Sequence, residues 1–204
     1  MKENFKYFDS LPYWSLNSPT YRYAGIGSRQ APVYILYEMT KIATVLESLG
    51  FKLRSGRAKG SDEAFESGVK DDSNKEIFPG SAQASPIAYE IAREIHPSPK
   101  SLDNKQNSAY IWNLMARNTH QIFGFDLLVP VDFVLCWTQD GIEHYSQRTQ
   151  ATGGTGQAIE LASRKHIPVI NMYHIDWRDK LGKLLDKYEQ DKIYMKHIIK
   201  NGLW

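Results

Sequence analysis

The sequence predicts an α/β protein, with a mostly parallel sheet and helices on both of its faces. Three observations predict this. Short apolar strand candidates alternate along the chain with segments of helical period. The run Val131-Asp132-Phe133-Val134-Leu135-Cys136-Trp137 is almost continuously apolar, as suits a parallel strand covered on both faces. Finally, the glycine-rich turns fall where a strand candidate ends or a helix candidate begins. Ligands of open α/β sheets bind at such turns, outside the carboxyl ends of the strands.

Residues 1–20 hold aromatics with Pro12 and Pro19 and no clear period, and read as an arm packed on the domain. Tyr21 to Ile26 is the first strand candidate, ending in the turn Gly27-Ser28-Arg29. Residues 33–49 place Val33, Leu36, Tyr37, Ile42, Val45, Leu46 and Leu49 near helical spacing, with Gly50 as the stop. Phe51 to Ser55 is the second strand, and it runs into Gly56-Arg57-Ala58-Lys59-Gly60-Ser61-Asp62. Ser61 or Asp62 is expected to cap the next helix, over 62–70. Lys75 to Phe78 is a short third strand closed by Pro79-Gly80.

Ala84 to Ile95 reads as a helix that His96-Pro97-Ser98-Pro99 stops. Ser101 to Ser108 is polar and reads as a loop, and Tyr110 to Phe123 as a helix. After the 131–137 strand and a polar loop come a glycine turn, a helix over 156–165 and a last strand from Ile167 to Met172. Residues 177–199 form one or two amphipathic helices. Residues 21–175 are therefore expected to be one domain, with 176–204 as its helical extension.

The chain has 204 residues, 42% of them hydrophobic and 24% charged, which bounds it to a globular domain with a sizeable core. No apolar run approaches the ~20 residues a bilayer needs, so no membrane partner is expected. The N-terminus lacks the pattern of a secretory leader, and the single cysteine, Cys136, reads as a buried thiol in a strand. Both fit the cytoplasm. A net charge of +2 confines any nucleic-acid site to a local patch. The six histidines are scattered without metal-site spacing, so neither a metal site nor a cofactor is expected. No Gly-x-Ser-x-Gly nucleophile elbow is present.

The strongest chemical signal is Thr152-Gly153-Gly154-Thr155-Gly156 at the start of a helix. Glycines let the backbone approach a ligand, and free amides at a helix start favour an anion. The same residues would serve a tight capped loop, yet three glycines in four residues exceed what a cap needs. Gly25-Ile26-Gly27-Ser28-Arg29 is weaker, being equally a strand-to-helix turn. Ser55-Gly56-Arg57-Ala58-Lys59-Gly60-Ser61-Asp62 adds two cations to two glycines. Arg57 can fork onto a phosphate and Lys59 supply a point charge. The order of a Walker loop is absent. Trp137, beside the loop that follows its strand, suits either a base stack or the core.

Three segments together resemble the DprA/Smf proteins and, more broadly, the SLOG group of Rossmann-like domains. They are Tyr23-Ala24-Gly25-Ile26-Gly27-Ser28-Arg29, then Leu53 to Ala64 through Ser55-Gly56-Arg57-Ala58-Lys59-Gly60-Ser61-Asp62, then Met115-Ala116-Arg117-Asn118 with Gln121-Ile122-Phe123-Gly124. The resemblance runs from about Arg22 to Asn171, outside an unmatched middle near 81–108. It implies binding of nucleotide or single-stranded DNA, with Asn118 among the site residues, and a tendency to form homodimers. The turn at 153–156 is more similar to the Gly-Gly-x-Gly-Thr-x-x-Glu element of the LOG branch, whose enzymes release a base from nucleoside 5′-monophosphates. Glu160 falls at the place of that branch's catalytic Glu. Arg117 stands near its catalytic Arg, in a stretch one residue shorter and without the following Lys.

The resemblance thus implies two kinds of protein. In a hydrolase, Glu160 would stabilise an oxocarbenium-like transition state or activate water, and Arg117 would orient the phosphate or ribose. In a binding module, Glu160 is an ordinary helix glutamate near a favourable dipole end and Arg117 is solvated or ion-paired. A sensor or sponge of a signalling nucleotide is a third role that the resemblance allows. Asp62 is read as a helix cap or a ribose contact. The apolar positions Ile193, Met195, Ile198, Ile199, Leu203 and Trp204 could cover this domain's own sheet or a second copy.

Overall fold

The computed structural model describes residues 5–13, 20–186 and 188. Five strands form one parallel sheet: β1 (Arg22–Gly27), β2 (Lys52–Ser55), β3 (Lys75–Ile77), β4 (Phe133–Trp137) and β5 (Val169–Asn171). The helices are α1 (Val33–Ser48), α2 (Ser61–Gly68), α3 (Pro86–Ile95), α4 (Pro99–Asp103), α5 (Ser108–Phe123), α6 (Thr155–Arg164) and α7 (Trp177–Leu185). The arrangement is the Rossmann-like α/β architecture the alternating pattern predicts.

Strand order is β3-β2-β1-β4-β5. The chain starts in the middle, builds outward through β2 and β3, then crosses back to place β4 on the other side of β1. Tyr23 to Gly27 pair with Phe133 to Trp137 in parallel register. The direction of winding reverses between these two strands, which splits the loops at their carboxyl ends apart and opens a crevice there.

Successive side chains of a strand point to opposite faces, and each face has its own core. Ala24, Ile26, Val134 and Cys136 pack on α3, α5 and α6, through residues such as Ile91, Trp112, Ala116, Ile122 and Ile159. Tyr23, Leu53, Phe133 and Leu135 pack on α1, α2 and α7, through Ile35, Met39, Ile42, Phe65 and Leu181. Trp137 belongs to this second core, so its ring is a packing element rather than a platform for a base. Cys136 is fully buried in β4, and burial pushes its thiol far above the ordinary range.

One segment departs from the sequence expectation. The polar stretch after Pro99 begins with a short helix, α4, rather than a loop. Pro99 is pre-set for the first helical position. Asp103 accepts hydrogen bonds from Trp112 Nε1 at 2.8 Å and from Arg93 at 2.9 Å, and Leu102 is buried. These tertiary contacts outweigh the composition.

The arm docks through Phe8 and Leu11, both buried. Glu94 on α3 accepts from the backbone N–H groups of Tyr7 and Phe8, and Lys165 Nζ donates to the Leu11 carbonyl at 2.6 Å. After α7, Tyr188 packs edge-on against the rings of Tyr21 and Phe51. The apolar positions from Ile193 to Trp204 lie outside the described residues. Among the described residues, no helix is long and apolar enough to cross a membrane.

Candidate functional site

The crevice at the reversal point is a cavity of about 390 Å³. Its walls come from the turn after β1, the loop before α2, one stripe of α5 and the first turn of α6. The turn after β1 is tied to the neighbouring strand, since Ser28 N–H donates to the Trp137 carbonyl at 3.0 Å. It is tied to α2 as well, where Ser61 Oγ donates to the Ser28 carbonyl at 2.9 Å. Gly27, Ser28 and Arg29 then face the cavity.

The loop 56–60 is held from below by α2. Asp62 Oδ2 accepts from the N–H of Gly56 at 3.2 Å and of Ala58 at 3.4 Å, and Glu66 Oε1 accepts from Arg57 N–H at 2.8 Å. This corrects the expectation that Ser61 or Asp62 caps the helix. Gly60 occupies the cap position with no side-chain bond. The Asp62 carboxylate instead reaches back to the backbone N–H groups of the loop. Burial raises Asp62 to about 6, against the pull of the Arg117 charge and the two backbone donors. Arg57 adopts a left-handed φ of 55°, uncommon for a residue with a side chain, and the bond from its N–H to Glu66 helps to hold it there.

Helix α5 contributes Leu114, Arg117, Asn118 and Gln121. These positions recur at i, i+3, i+4 and i+7 and so share one face. Arg117 donates to the Gly56 carbonyl at 2.6 Å. Burial lowers the pKa of its guanidinium and the Asp62 charge opposes that shift. Asn118 Nδ2 donates to the Gly154 carbonyl at 3.1 Å, fixing the glycine turn to α5.

In the turn itself Gly153 takes a φ of 61° and Gly154 forms the cap of α6. Gly156 and Gln157 spend their N–H groups on the carbonyls of Gly153 and Gly154. Among the described residues, the amides of Gly154 and Thr155 donate to no protein acceptor, as helix starts generally leave them, and both residues line the cavity.

A second cavity of about 380 Å³ adjoins the first and shares Arg29, Ala58, Leu114 and Arg117 with it. It adds Gly56, Arg57, Lys59 and the half-exposed ring of Tyr110. Among the described residues, Arg29, Arg57 and Lys59 have no ion-pair partner. The two cavities thus form one cleft with a cationic rim.

The structure brings together Gly27, Ser28, Arg29, Gly56, Arg57, Lys59, Asp62, Arg117, Asn118, Gly154 and Thr155. It places the other candidate residues elsewhere. Gly25 lies against Leu53 and Phe65, where a Cβ would come within 2.7 Å of both, so its smallness serves packing. Ser55 is fully buried beneath the loop. Gly60 sits against the Arg29 backbone. Thr152 uses its hydroxyl to bind Asp140, which also holds Thr149, and so secures the loop instead of facing a ligand. Gly156 is covered by Arg148, and Gly153 faces a third cavity of about 850 Å³, which borders the first at Met115 and Gly154.

Glu160 lines that third cavity. Its carboxylate is buried and held by Arg148 at 2.6 Å and Arg164 at 3.0 Å. It lines neither of the two cavities that Arg117, the partner cleavage chemistry would require, lines.

Sequence reasoning did not nominate Gln121. Its signal was its position, four residues after Arg117 on the same helix face. Among the described residues, no group of His, Cys, Asp and Glu is arranged to hold a metal ion. No family model, no curated protein and no solved structure matches this chain.

Proposed function

We propose that this protein binds nucleotide or single-stranded DNA, in the manner of the DprA-like proteins its motifs resemble, with phosphate held at the glycine-rich turns. One observation carries the reading. Arg117 and the amides that open α6 meet in a single cleft at the point where the sheet reverses direction, and that cleft continues into a second basic groove. An anion there gains free backbone donors, the positive end of a helix and a guanidinium. Arg29, Arg57 and Lys59 along the groove supply counter-charges for further phosphates, and Tyr110 offers a face for stacking.

Binding is favoured over N-glycosidic cleavage because the carboxylate that would do the chemistry is turned away and doubly paired. The test is binding of a fluorescein-labelled (dT)20 strand and of nucleoside 5′-monophosphates across a salt series. A strand on this cleft releases counterions, so log K should fall against log salt with a slope of about −2 to −3 for three or four contacts. Arg117→Ala should abolish binding. The reading fails if wild type binds neither probe, or if Arg117→Ala binds as wild type does.

A further inference from the structure

Gln121 is fully buried, lies in the wall of the cleft, and has no hydrogen-bond partner for either its Oε1 or its Nε2. Arg117 Nε beside it is also unpartnered. Both side chains crowd the space over Gly56, where a Cβ would lie 2.6 Å from Arg117 Nη1 and 2.7 Å from Gln121 Nε2. An unsatisfied buried amide is costly, and an apolar side chain of the same size would remove that cost. Such local faults persist where binding requires them.

The unpaired set is two donors, Gln121 Nε2 and Arg117 Nε, with one acceptor, Gln121 Oε1. A phosphate only accepts, so it would leave Oε1 unpaired. A group that both accepts and donates completes the set. In a nucleotide, the base edge and the ribose hydroxyls have that chemistry.

We propose that Gln121 is a recognition residue that reads the neutral, hydrogen-bonding part of a nucleotide, its base edge or its sugar. This rests on the nucleotide reading above and adds a division of labour. The glycine turn and cationic rim hold phosphate, and the α5 stripe below them holds the nucleoside. Recognition by a buried polar side chain discriminates strongly, since a ligand without the matching groups leaves that side chain unpaired.

The test uses Gln121→Leu and the longer Gln121→Met, with thermal unfolding of the free proteins. Calorimetric titration follows, with inorganic pyrophosphate, AMP, GMP, UMP, their 2′-deoxy forms and (dT)20. Unfolding temperatures should match or exceed that of wild type, because a costly group is removed. Nucleotide binding should weaken about tenfold or more, while pyrophosphate binding stays within about twofold. Loss that varies with the base assigns the base edge, and loss confined to the ribo forms assigns the sugar.

A drop in unfolding temperature in both variants would overturn the proposal, since Gln121 would then be satisfied in the free protein. Equal weakening of pyrophosphate would overturn it too, because Gln121 would then only position Arg117. If wild type binds and both variants bind equally well, this inference alone falls. If wild type binds none of the probes, the nucleotide reading falls and takes the inference with it.

Discussion

Arg117 and Gly56 are joined across the cleft. The guanidinium donates to the Gly56 carbonyl at 2.6 Å, and a Cβ on residue 56 would sit 2.6 Å from Arg117 Cζ. Helix α5 and the loop after β2 therefore meet through a cation laid on bare backbone. The loop is fixed in turn by two carboxylates of α2, so the position of Arg117 depends on three elements.

Gly56→Ala should displace Arg117 without unfolding the protein. The clash is with the end of a flexible side chain, which can move aside at about 1–3 kcal/mol. Urea unfolding should show a loss of that order. Binding of (dT)20 should weaken nearly as much as in Arg117→Ala. A variant that keeps wild-type affinity would show that the Gly56 contact does not position the guanidinium.

Asp62 should make stability depend on pH. Its carboxyl titrates near 6 in the fold, against 3.8 as the ordinary value, chiefly because it is buried. Between those values the folded state holds the proton more tightly than the unfolded chain does, so stability falls as pH rises through that window. Above pH 6 the ionised group costs up to about 3 kcal/mol. Asp62→Asn cannot ionise. Its stability relative to wild type should therefore improve between pH 4 and pH 7, by urea denaturation at several pH values. A constant difference across that range would remove Asp62 from the pH dependence.

Glu160→Gln separates the two roles that the sequence allows this residue. Its oxygens are shared between Arg148 and Arg164, behind the glycine turn. Losing the charge leaves two largely buried cations facing each other, at a cost of about 2–4 kcal/mol. Binding by the folded variant should match wild type, and neither protein should release free base from nucleoside monophosphates. Base release by wild type that vanishes in Glu160→Gln would restore a catalytic role.

The fold was legible because periodicity and turn chemistry agreed along most of the chain. The β4 run, the glycines after β1 and β2, and the stripe of α1 each read the same way locally and in the tertiary structure. The site was legible in part. Glycine spacing located the turns, because a turn is a local property. It did not tell Gly27, at the carboxyl end of β1 where the cleft opens, from Gly25, two residues back on the same face, where it packs on Phe65; how far the cleft reaches along the strand is set by the tertiary packing of α2. Glu160 matched a motif by spacing, yet its partner Arg148 comes from a polar loop with no periodic signal. Gln121 carried a helical-period signal that only the burial of its neighbours makes conspicuous.

Arg54 gives a test of the scaffold that should leave the cleft intact. Its side chain is 3% exposed, and its Nε pairs with Glu76 Oε2 at 2.5 Å while Nη1 donates to the Val129 carbonyl. Glu76 also receives Arg22 at 3.0 Å, so one carboxylate on edge strand β3 neutralises cations from β1 and β2. Burial pushes the Glu76 pKa up, but the two arginines outweigh it and hold it below its ordinary 4.5. The stabilisation is therefore present above that value and fades as pH falls below it. Glu76→Ala strands a buried guanidinium and should cost about 3–5 kcal/mol at pH 7. Replacing both partners, Arg54→Met with Glu76→Leu, removes the more buried guanidinium together with its counter-charge and leaves Arg22, which is more exposed and still donates to the Thr20 carbonyl, so it should cost less. Urea denaturation of the two variants decides between them. Equal losses would mean that the pair itself, rather than the orphaned charge, accounts for the stability of this edge of the sheet.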